Sequence, residues 1–356
     1  MKYEFPVTRT TNPKAKPDPN NLPFGSNFTD HMFIMEYDEG QGWHDGRIVP
    51  YAPLQIDPAA VVLHYGQEMF EGLKAYKTVD GRVQLFRPEM NAKRTNNTND
   101  RLCIPKVDEE LYVEAVKQLV KVDMDWIPEK KDTSLYIRPF IFGTEPTLGI
   151  HASTSYLFVI ILSPSGPYYE NGLEPTKLYV EDTYVRATAG GTGEAKCGGN
   201  YAASLKAQVI AHEQGYDQIL WLDGVERKYV EEVGTSNAFF VIGDEIITAP
   251  LEGTILPGIT RNSCIQVLKD KGYKVSERRM AIDEVVEAHK KGEFKEMFAS
   301  GTAAIISPVG TLKYKDTVME INDGKIGPVA QLLYDTIYGI QTGAVEDTYG
   351  WTVPIE

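Results

Sequence analysis

Two periods of apolar residues run along this chain and mark out its elements. Phe33-Ile34-Met35-Glu36-Tyr37 reads as a short strand. Lys74-Ala75-Tyr76-Lys77 and Val83-Gln84-Leu85-Phe86 flank Asp80-Gly81, which predicts a hairpin. Asp57-Pro58 has the form of a helix start, an N-cap followed by Pro at the first helical position, and predicts a helix over 59–70. Over 108–126 the apolar residues Tyr112, Val113, Val116, Leu119, Val120 and Met124 recur at helical spacing. Apolar runs at 135–142 and 156–162 predict two strands. The stretch 163–175 is dense in Pro and Gly and predicts a linker. Beyond it, strands are expected at 177–181, 218–222 and 238–248, the last a hairpin through Gly243-Asp244. Helices are expected at 201–214, stopped by Gly215, at 260–271, stopped by Gly272, and at 282–291.

These elements mix strands and helices without strict βαβ alternation. The expected fold class is α/β (α+β) in two domains. A smaller N-terminal domain would span 1–163, a linker 164–175 and a larger domain 176–356. Length agrees: 356 residues are about twice what one core usually supports. With 42% hydrophobic and 24% charged residues, disorder is excluded.

Charge narrows the partners. Lys and Arg number 36 against 50 Asp and Glu, so 36 − 50 gives −14. That balance, with no basic block, argues against nucleic acid. No run of 18 uncharged apolar residues is present, so no membrane span is expected. The N-terminus lacks the apolar core of a signal peptide. Cys103, Cys197 and Cys264 are odd in number and far apart, which fits a reducing cytoplasm, the expected location.

Several chemistries are ruled out by pattern. His212-Glu213 lacks a second His at zinc-protease spacing, the six His show no metal-ligand spacing, and no Gly-x-Ser-x-Gly elbow occurs. No metal is expected. Gly190-Gly191-Thr192-Gly193-Glu194-Ala195-Lys196 matches neither the P-loop nor the dinucleotide fingerprint. What is unusual is Lys196 itself, with Gly190, Gly191 and Gly193 before it and Gly198 and Gly199 after. Either it is a surface lysine in a flexible loop, or a lysine held to form a Schiff base with a carbonyl cofactor. Glu231-Glu232 is either a solvated acidic turn or a carboxylate for a pyridine nitrogen. Leu256-Pro257-Gly258-Ile259-Thr260-Arg261 opens a helix, as simple Thr capping or as a phosphate seat. Ser300-Gly301-Thr302-Ala303 ends a strand in small residues, as a packed turn or as a close approach to an anion.

In order and spacing, these segments together resemble the branched-chain amino acid aminotransferases, pyridoxal-phosphate enzymes of fold type IV. The resemblance runs from about Phe28 to the C-terminal region. Its further carriers are Phe70-Glu71-Gly72-Leu73-Lys74-Ala75-Tyr76, Leu85-Phe86-Arg87-Pro88, Tyr136-Ile137-Arg138-Pro139, Gly143-Thr144-Glu145-Pro146, Gly198-Gly199-Asn200-Tyr201 and Glu232-Val233-Gly234-Thr235. It implies pyridoxal 5'-phosphate as cofactor. Lys196 would be its covalent anchor and the proton carrier at the amino acid Cα. Glu232 would meet the pyridine nitrogen, and Tyr201 would lie near the phenolic oxygen. Arg94, the amides of Ile259 and Thr260, and Thr302 would bind the phosphate. Thr235 and Ala303, with Tyr65, would surround the substrate α-carboxylate. Phe28, Phe70 and Tyr136 would line an apolar pocket, and Arg138 would take the distal carboxylate of glutamate. Leucine, isoleucine and valine would exchange their amino group with 2-oxoglutarate. Leu148 and Ile150 would reach a neighbouring subunit, which implies a homodimer.

Two features depart from the pattern. The region Arg94-Thr95-Asn96-Asn97-Thr98-Asn99-Asp100-Arg101 holds more Asn than its place implies, which leaves Arg101 as a second choice for the phosphate. Where some members carry a Cys-x-x-Cys pair, this chain has Ala304 and Ser307, so no thiol switch is expected. A D-amino acid aminotransferase or an aminodeoxychorismate lyase of the same fold would share Lys196 and Glu232. A catalytically dead dimeric scaffold would have no reason to keep Lys196, Glu232 and Thr302.

Overall fold

A computed structural model describes residues 2–166 and 173–356. The chain divides into two units, Met1–Pro167 with Ala195–Gly198 and Ile340–Glu356, and Tyr168–Glu194 with Gly199–Gly339.

The first unit holds β1 (His31–Asp38), β2 (Gly42–Pro50), α1 (Val61–Tyr65), β3 (Glu68–Phe70), β4 (Leu73–Lys77), β5 (Val83–Phe86), α2 (Pro88–Leu102), α3 (Glu109–Val122), β6 (Ser134–Gly143) and β7 (Ser155–Ser165). Its antiparallel sheet runs β5-β4-β6-β7-β1-β2, with β3 also on β6 and the C-terminal strand Thr352–Ile355 outside β5. Asp108 starts α3 by accepting the Leu111 N–H at 3.0 Å. The apolar stripe of α3, Tyr112, Val116 and Leu119, packs with Phe33, Met35, Leu135, Ile137, Phe158 and Ile160 as the core. Successive strand side chains point to opposite faces. Met69 and Ile141 therefore face the core, while Glu68, Phe70, Tyr136 and Arg138 share the other face, with Phe70 opposite Phe140 in register.

Three expectations are corrected here. The helix predicted over 59–70 stops at Tyr65, where Gly66 takes φ 61° in the left-handed region, and Glu68–Phe70 is a strand. The predicted linker begins inside β7: Ser163 and Ser165 are buried and pair with Tyr136 and Ser134. Its residues 167–172 lie outside the described ones. The end of the chain, placed by sequence in the second domain, belongs to the first unit. There Gln84 Nε2 donates to the carbonyls of Ile340 at 3.0 Å and Gln341 at 2.9 Å.

The second unit holds β8 (Thr176–Glu181), α4 (Gly198–Glu213, from Gly199 on), β9 (Gln218–Leu222), β10 (Val230–Val233), β11 (Ser236–Ile242), β12 (Glu245–Thr248), α5 (Ile259–Asp270), β13 (Lys274–Glu277), α6 (Ile282–Lys290), β14 (Phe294–Gly301), β15 (Ile305–Tyr314), β16 (Thr317–Glu320) and most of α7 (Pro328–Gln341). Strand order β10-β9-β8-β15-β14-β11 returns to β10 through the β10–β11 pair, closing a ring of strands. Leu178, Val180, Leu220, Phe240 and Met297 form its core with Ile282, Val285 and Ala288 of α6. Among the described residues, no helix is long and apolar enough to cross a membrane.

Candidate active site

In the first unit, Lys196 is held by its main chain. Its N–H donates to Thr98 Oγ1 and its carbonyl accepts from the Phe70 N–H, both at 3.0 Å. Its amine lies 4.8 Å from the centre of the Phe70 ring, and the Arg138 guanidinium lies 4.8 Å from the same centre. Aromatic faces attract cations, so one ring serves both side chains. Arg138 also donates to the Tyr136 hydroxyl at 3.0 Å.

Beside this stands Arg94, buried and bidentate on the fully buried Glu71, with Nε to Oε1 at 2.7 Å and Nη2 to Oε2 at 2.9 Å. Asn91 Nδ2 and the Gly72 N–H also donate to Glu71, at 2.8 and 3.0 Å. Burial alone would raise the Glu71 carboxyl. The charge and hydrogen bonds of Arg94, with Lys196 and Asn91, outweigh it and hold the carboxyl below its ordinary range. Asn91, Arg94 and Thr98 fall at i, i+3 and i+7, so one face of α2 carries all three. The excess of Asn in α2 has its own explanation. Asn96 binds both polar groups of Val107 and Asn99 donates to the Pro105 carbonyl, tying α2 to the following loop. Arg101 is exposed.

In the second unit the centre is Glu232 on β10. It is buried, 2.8 Å from Arg186 Nη1, and accepts from Asn237 Nδ2 at 2.9 Å. Glu231, its neighbour, points to the opposite face and accepts from the Thr254 hydroxyl at 2.7 Å. Burial raises the Glu231 carboxyl. Asn237 also donates to the Leu256 carbonyl at 3.0 Å, so one amide links Glu232 to the loop before α5. A Cβ on Gly258 would lie 2.0 Å from Asn237 Oδ1, which leaves only glycine for that approach. No side chain caps α5 at Gly258, and its first amides, Ile259 and Thr260 among them, have no intrahelical acceptor. Such a helix start favours an anion. Arg261 of the same motif is structural, donating to the Ala249 carbonyl at 2.8 Å and pairing with Glu277 at 2.9 Å. Thr302 and Ala303 occupy the turn between β14 and β15. That turn closes on Ile305 at φ 65°, a strained setting for a β-branched residue. A buried, fixed carboxylate and an open helix start in one unit fit a group with a basic nitrogen and a phosphate.

The predicted residues thus fall in two sets. Phe70, Arg94, Tyr136, Arg138 and Lys196 gather in the first unit. Phe28 stacks instead on Tyr51 at 5.3 Å, and the ring against Tyr136 is that of Phe24 at 4.8 Å. The Tyr65 hydroxyl donates to the Leu148 carbonyl at 2.6 Å, grouping Tyr65 with the exposed Leu148 and Ile150. In the second unit lie Glu232, Ile259, Thr260, Thr302 and Ala303. Tyr201 is half-buried in the first turn of α4, and Thr235 is exposed in the β10–β11 turn. Sequence reasoning missed Glu71, Thr98, Arg186 and Asn237. Arg186 carries no local signal. Glu71 and Thr98 stand inside the quoted motifs, where their neighbours drew the assignment, and Asn237 lies two residues past one.

Residues 68–312 match the family described as amino-transferase class IV. Branched-chain-amino-acid aminotransferase 2 of Bacillus subtilis (strain 168) is 58% identical over 354 residues, 99% of this chain and 98% of its own. The solved branched-chain aminotransferase from Thermoproteus uzoniensis with norvaline has a TM-score of 0.77 at 25% identity, covering 92% of this chain and 100% of that one. A branched-chain amino acid aminotransferase from T.th., solved in complex with N-(5'-phosphopyridoxyl)-L-glutamate, has a TM-score of 0.72 at 29% identity, covering 91% and 98%. The expected fold type IV architecture is borne out by these structures. By family match, by near full-length identity and by fold, the chain belongs to the class IV aminotransferases.

Proposed function

We propose that the chain is a branched-chain amino acid aminotransferase that moves the amino group between leucine, isoleucine or valine and 2-oxoglutarate, with pyridoxal 5'-phosphate as cofactor. The observation that carries this is the Phe70 ring with Lys196 on it at 4.8 Å and Arg138 on it at 4.8 Å. A transaminase of this kind must accept an apolar side chain and a carboxylate in turn. Phe70 and Tyr136 supply an apolar wall, with the Phe24 ring against Tyr136, and Arg138 supplies a cation in it for glutamate. Such a wall separates branched chains by only about 1–3 kcal/mol per methylene, so all three are substrates.

Bound pyridoxal phosphate supplies an electron sink for charge developing at the substrate Cα. The chain does the rest. Lys196 anchors the cofactor and carries the proton at Cα. Glu232, fixed by Arg186 and Asn237, serves the ring nitrogen, and Tyr201 the phenolic oxygen. Arg94, Thr302 and the Ile259 and Thr260 amides hold the phosphate. Thr235 and Ala303, with Tyr65, bind the α-carboxylate. Leu148 and Ile150, 65% and 85% exposed, form an apolar patch with Tyr65 that a second copy would cover, giving a homodimer. We place the enzyme in the cytoplasm.

An amino-donor panel with 2-oxoglutarate tests this reading. Turnover of the three branched-chain L-amino acids without D-alanine is expected, with a visible cofactor band that shifts on adding L-leucine. Lys196→Ala should lower turnover roughly 10²–10⁴-fold, the range for a lost general base. A protein that stays colourless with added pyridoxal phosphate, or that uses D-alanine best, would overturn it.

A further inference from the structure

Glu68 opens β3 and points to the same face as Phe70 and Arg138. Its Oε1 accepts the N–H of Gly198, two residues after Lys196. Phe70, two residues on from Glu68, donates its own N–H to the Lys196 carbonyl at 3.0 Å. Two alternate positions of β3 thus grip two alternate positions of the lysine segment, one by main chain and one by a carboxylate. Thr98 holds the third point, the Lys196 N–H, at 3.0 Å. Gly198 is also the first residue of α4, so its N–H has no acceptor within the helix. A negative carboxylate there is favoured by the helix dipole as well as by the hydrogen bond. A Cβ on residue 198 would lie 2.5 Å from Glu68 Oε1, so the contact requires the glycine.

We propose that Glu68 is a positioning residue for Lys196, fixing the peptide that follows the lysine and thereby the direction in which its amine points. This rests on the reading of Lys196 as the reactive amine. Burial raises the Glu68 carboxyl above its ordinary range, and the Gly198 N–H and the charge of Arg138 offset only part of that rise. The side chain therefore has two separable roles. Gln keeps the acceptor for Gly198 but removes the charge facing Arg138, whereas Ala removes both.

The test measures main-chain hydrogen exchange of the 196–200 peptide in the full chain without added cofactor, then steady-state kinetics with cofactor. In Glu68→Ala, exchange at Gly198 should rise about ten- to a hundredfold, the range for a lost hydrogen bond to a charged group. The kcat for leucine should fall at least about tenfold with KM little changed, since the pocket wall is intact. Glu68→Gln should restore most of both. Gly198→Ala, which displaces the carboxylate while leaving it in the chain, should reproduce Glu68→Ala and serves if that variant fails to fold. Unchanged exchange in Glu68→Ala or Gly198→Ala overturns the proposal, and so does faster exchange with wild-type kcat. Lys196→Ala, run in parallel, separates the two readings. If it keeps full turnover, the lysine assignment fails, while the exchange data still report on the tether.

Discussion

Each unit contains a buried carboxylate–arginine pair, and the two are built in opposite senses. In the first, the acid is saturated: Glu71 accepts from Arg94 twice, from Asn91 and from the Gly72 N–H. In the second, the base makes the several bonds. Arg186 donates to the Thr254 carbonyl at 2.8 Å and to the Gly193 carbonyl at 3.3 Å besides facing Glu232 at 2.8 Å. On the proposed function, Glu71 and Arg186 are the scaffolds, and Arg94 and Glu232 are the members that meet the ligand. An anion-binding arginine and a nitrogen-binding carboxylate are what the two scaffolds would then present. Burying a charge is costly unless its lone pairs and protons are matched, and Glu71 and Arg186 carry such matching here.

The largest effect should come from removing the second scaffold. Arg186→Ala strands Glu232 as a buried charge and unpairs two carbonyls, and should lower stability by about 3–5 kcal/mol in urea unfolding. A loss within the error of the measurement would break the comparison. Glu71→Gln comes next. It turns one acceptor into a donor facing Arg94 and should cost about 1.5–3 kcal/mol, with weaker retention of pyridoxal phosphate on dialysis. Glu232→Gln makes the same change in the presented acid. Gln keeps an acceptor for Asn237, and Arg186 keeps its carbonyls. Stability should move by less than about 1 kcal/mol while kcat falls severalfold or more. If the two Gln variants behave alike in unfolding, the scaffold distinction is wrong.

The same pairs show what the sequence made legible. Elements with an apolar stripe or a turn signal were readable, as in α3, the β4–β5 hairpin, β6, and α5 with its stop. The helix α2 has no such stripe, because it buries Asn91, Arg94, Thr95, Thr98 and Asn99 where a stripe would put apolar residues. Its stability comes from partners elsewhere in the chain, and periodicity does not register partners. The over-long helix at 59–70 failed for a related reason. Asp57 does accept the Ala59 N–H at 2.8 Å, but Glu68–Phe70 is claimed by β6, a tertiary pairing that outweighs local propensity. At the site, motif order named the residues proposed to meet ligands and passed over Thr98 and Arg186, which hold Lys196 and Glu232. Lys196 and Glu232 stand out by their setting, whereas Thr98 and Arg186 have meaning only once the chain has folded.

A third buried carboxylate sharpens the contrast because main-chain amides, rather than an arginine, hold it. Asp223, the residue after β9, accepts the N–H groups of Val225 at 3.1 Å, Glu226 at 2.7 Å, Lys228 at 2.9 Å and Tyr229 at 2.8 Å. Arg279 stands farther off, at 4.0 Å. This turn delivers the chain into β10 and so sets where Glu232 begins. Burial would raise the Asp223 carboxyl, but the amides outweigh it and hold it at about 2, against an ordinary 3.8. A depressed carboxyl contributes stability that is fully present above its unfolded value and is lost as pH falls through its folded one. Asp223→Asn places an NH₂ against two of the amides and should cost about 1–2 kcal/mol near neutral pH, less than Arg186→Ala. The urea-midpoint gap between wild type and variant should stay constant down to about pH 4 and narrow below it, as wild-type Asp223 takes up its proton. A gap that holds its width on acidification would mean that shape, not charge, keeps this turn, and that the rule of saturated scaffolds does not extend beyond the two ion pairs.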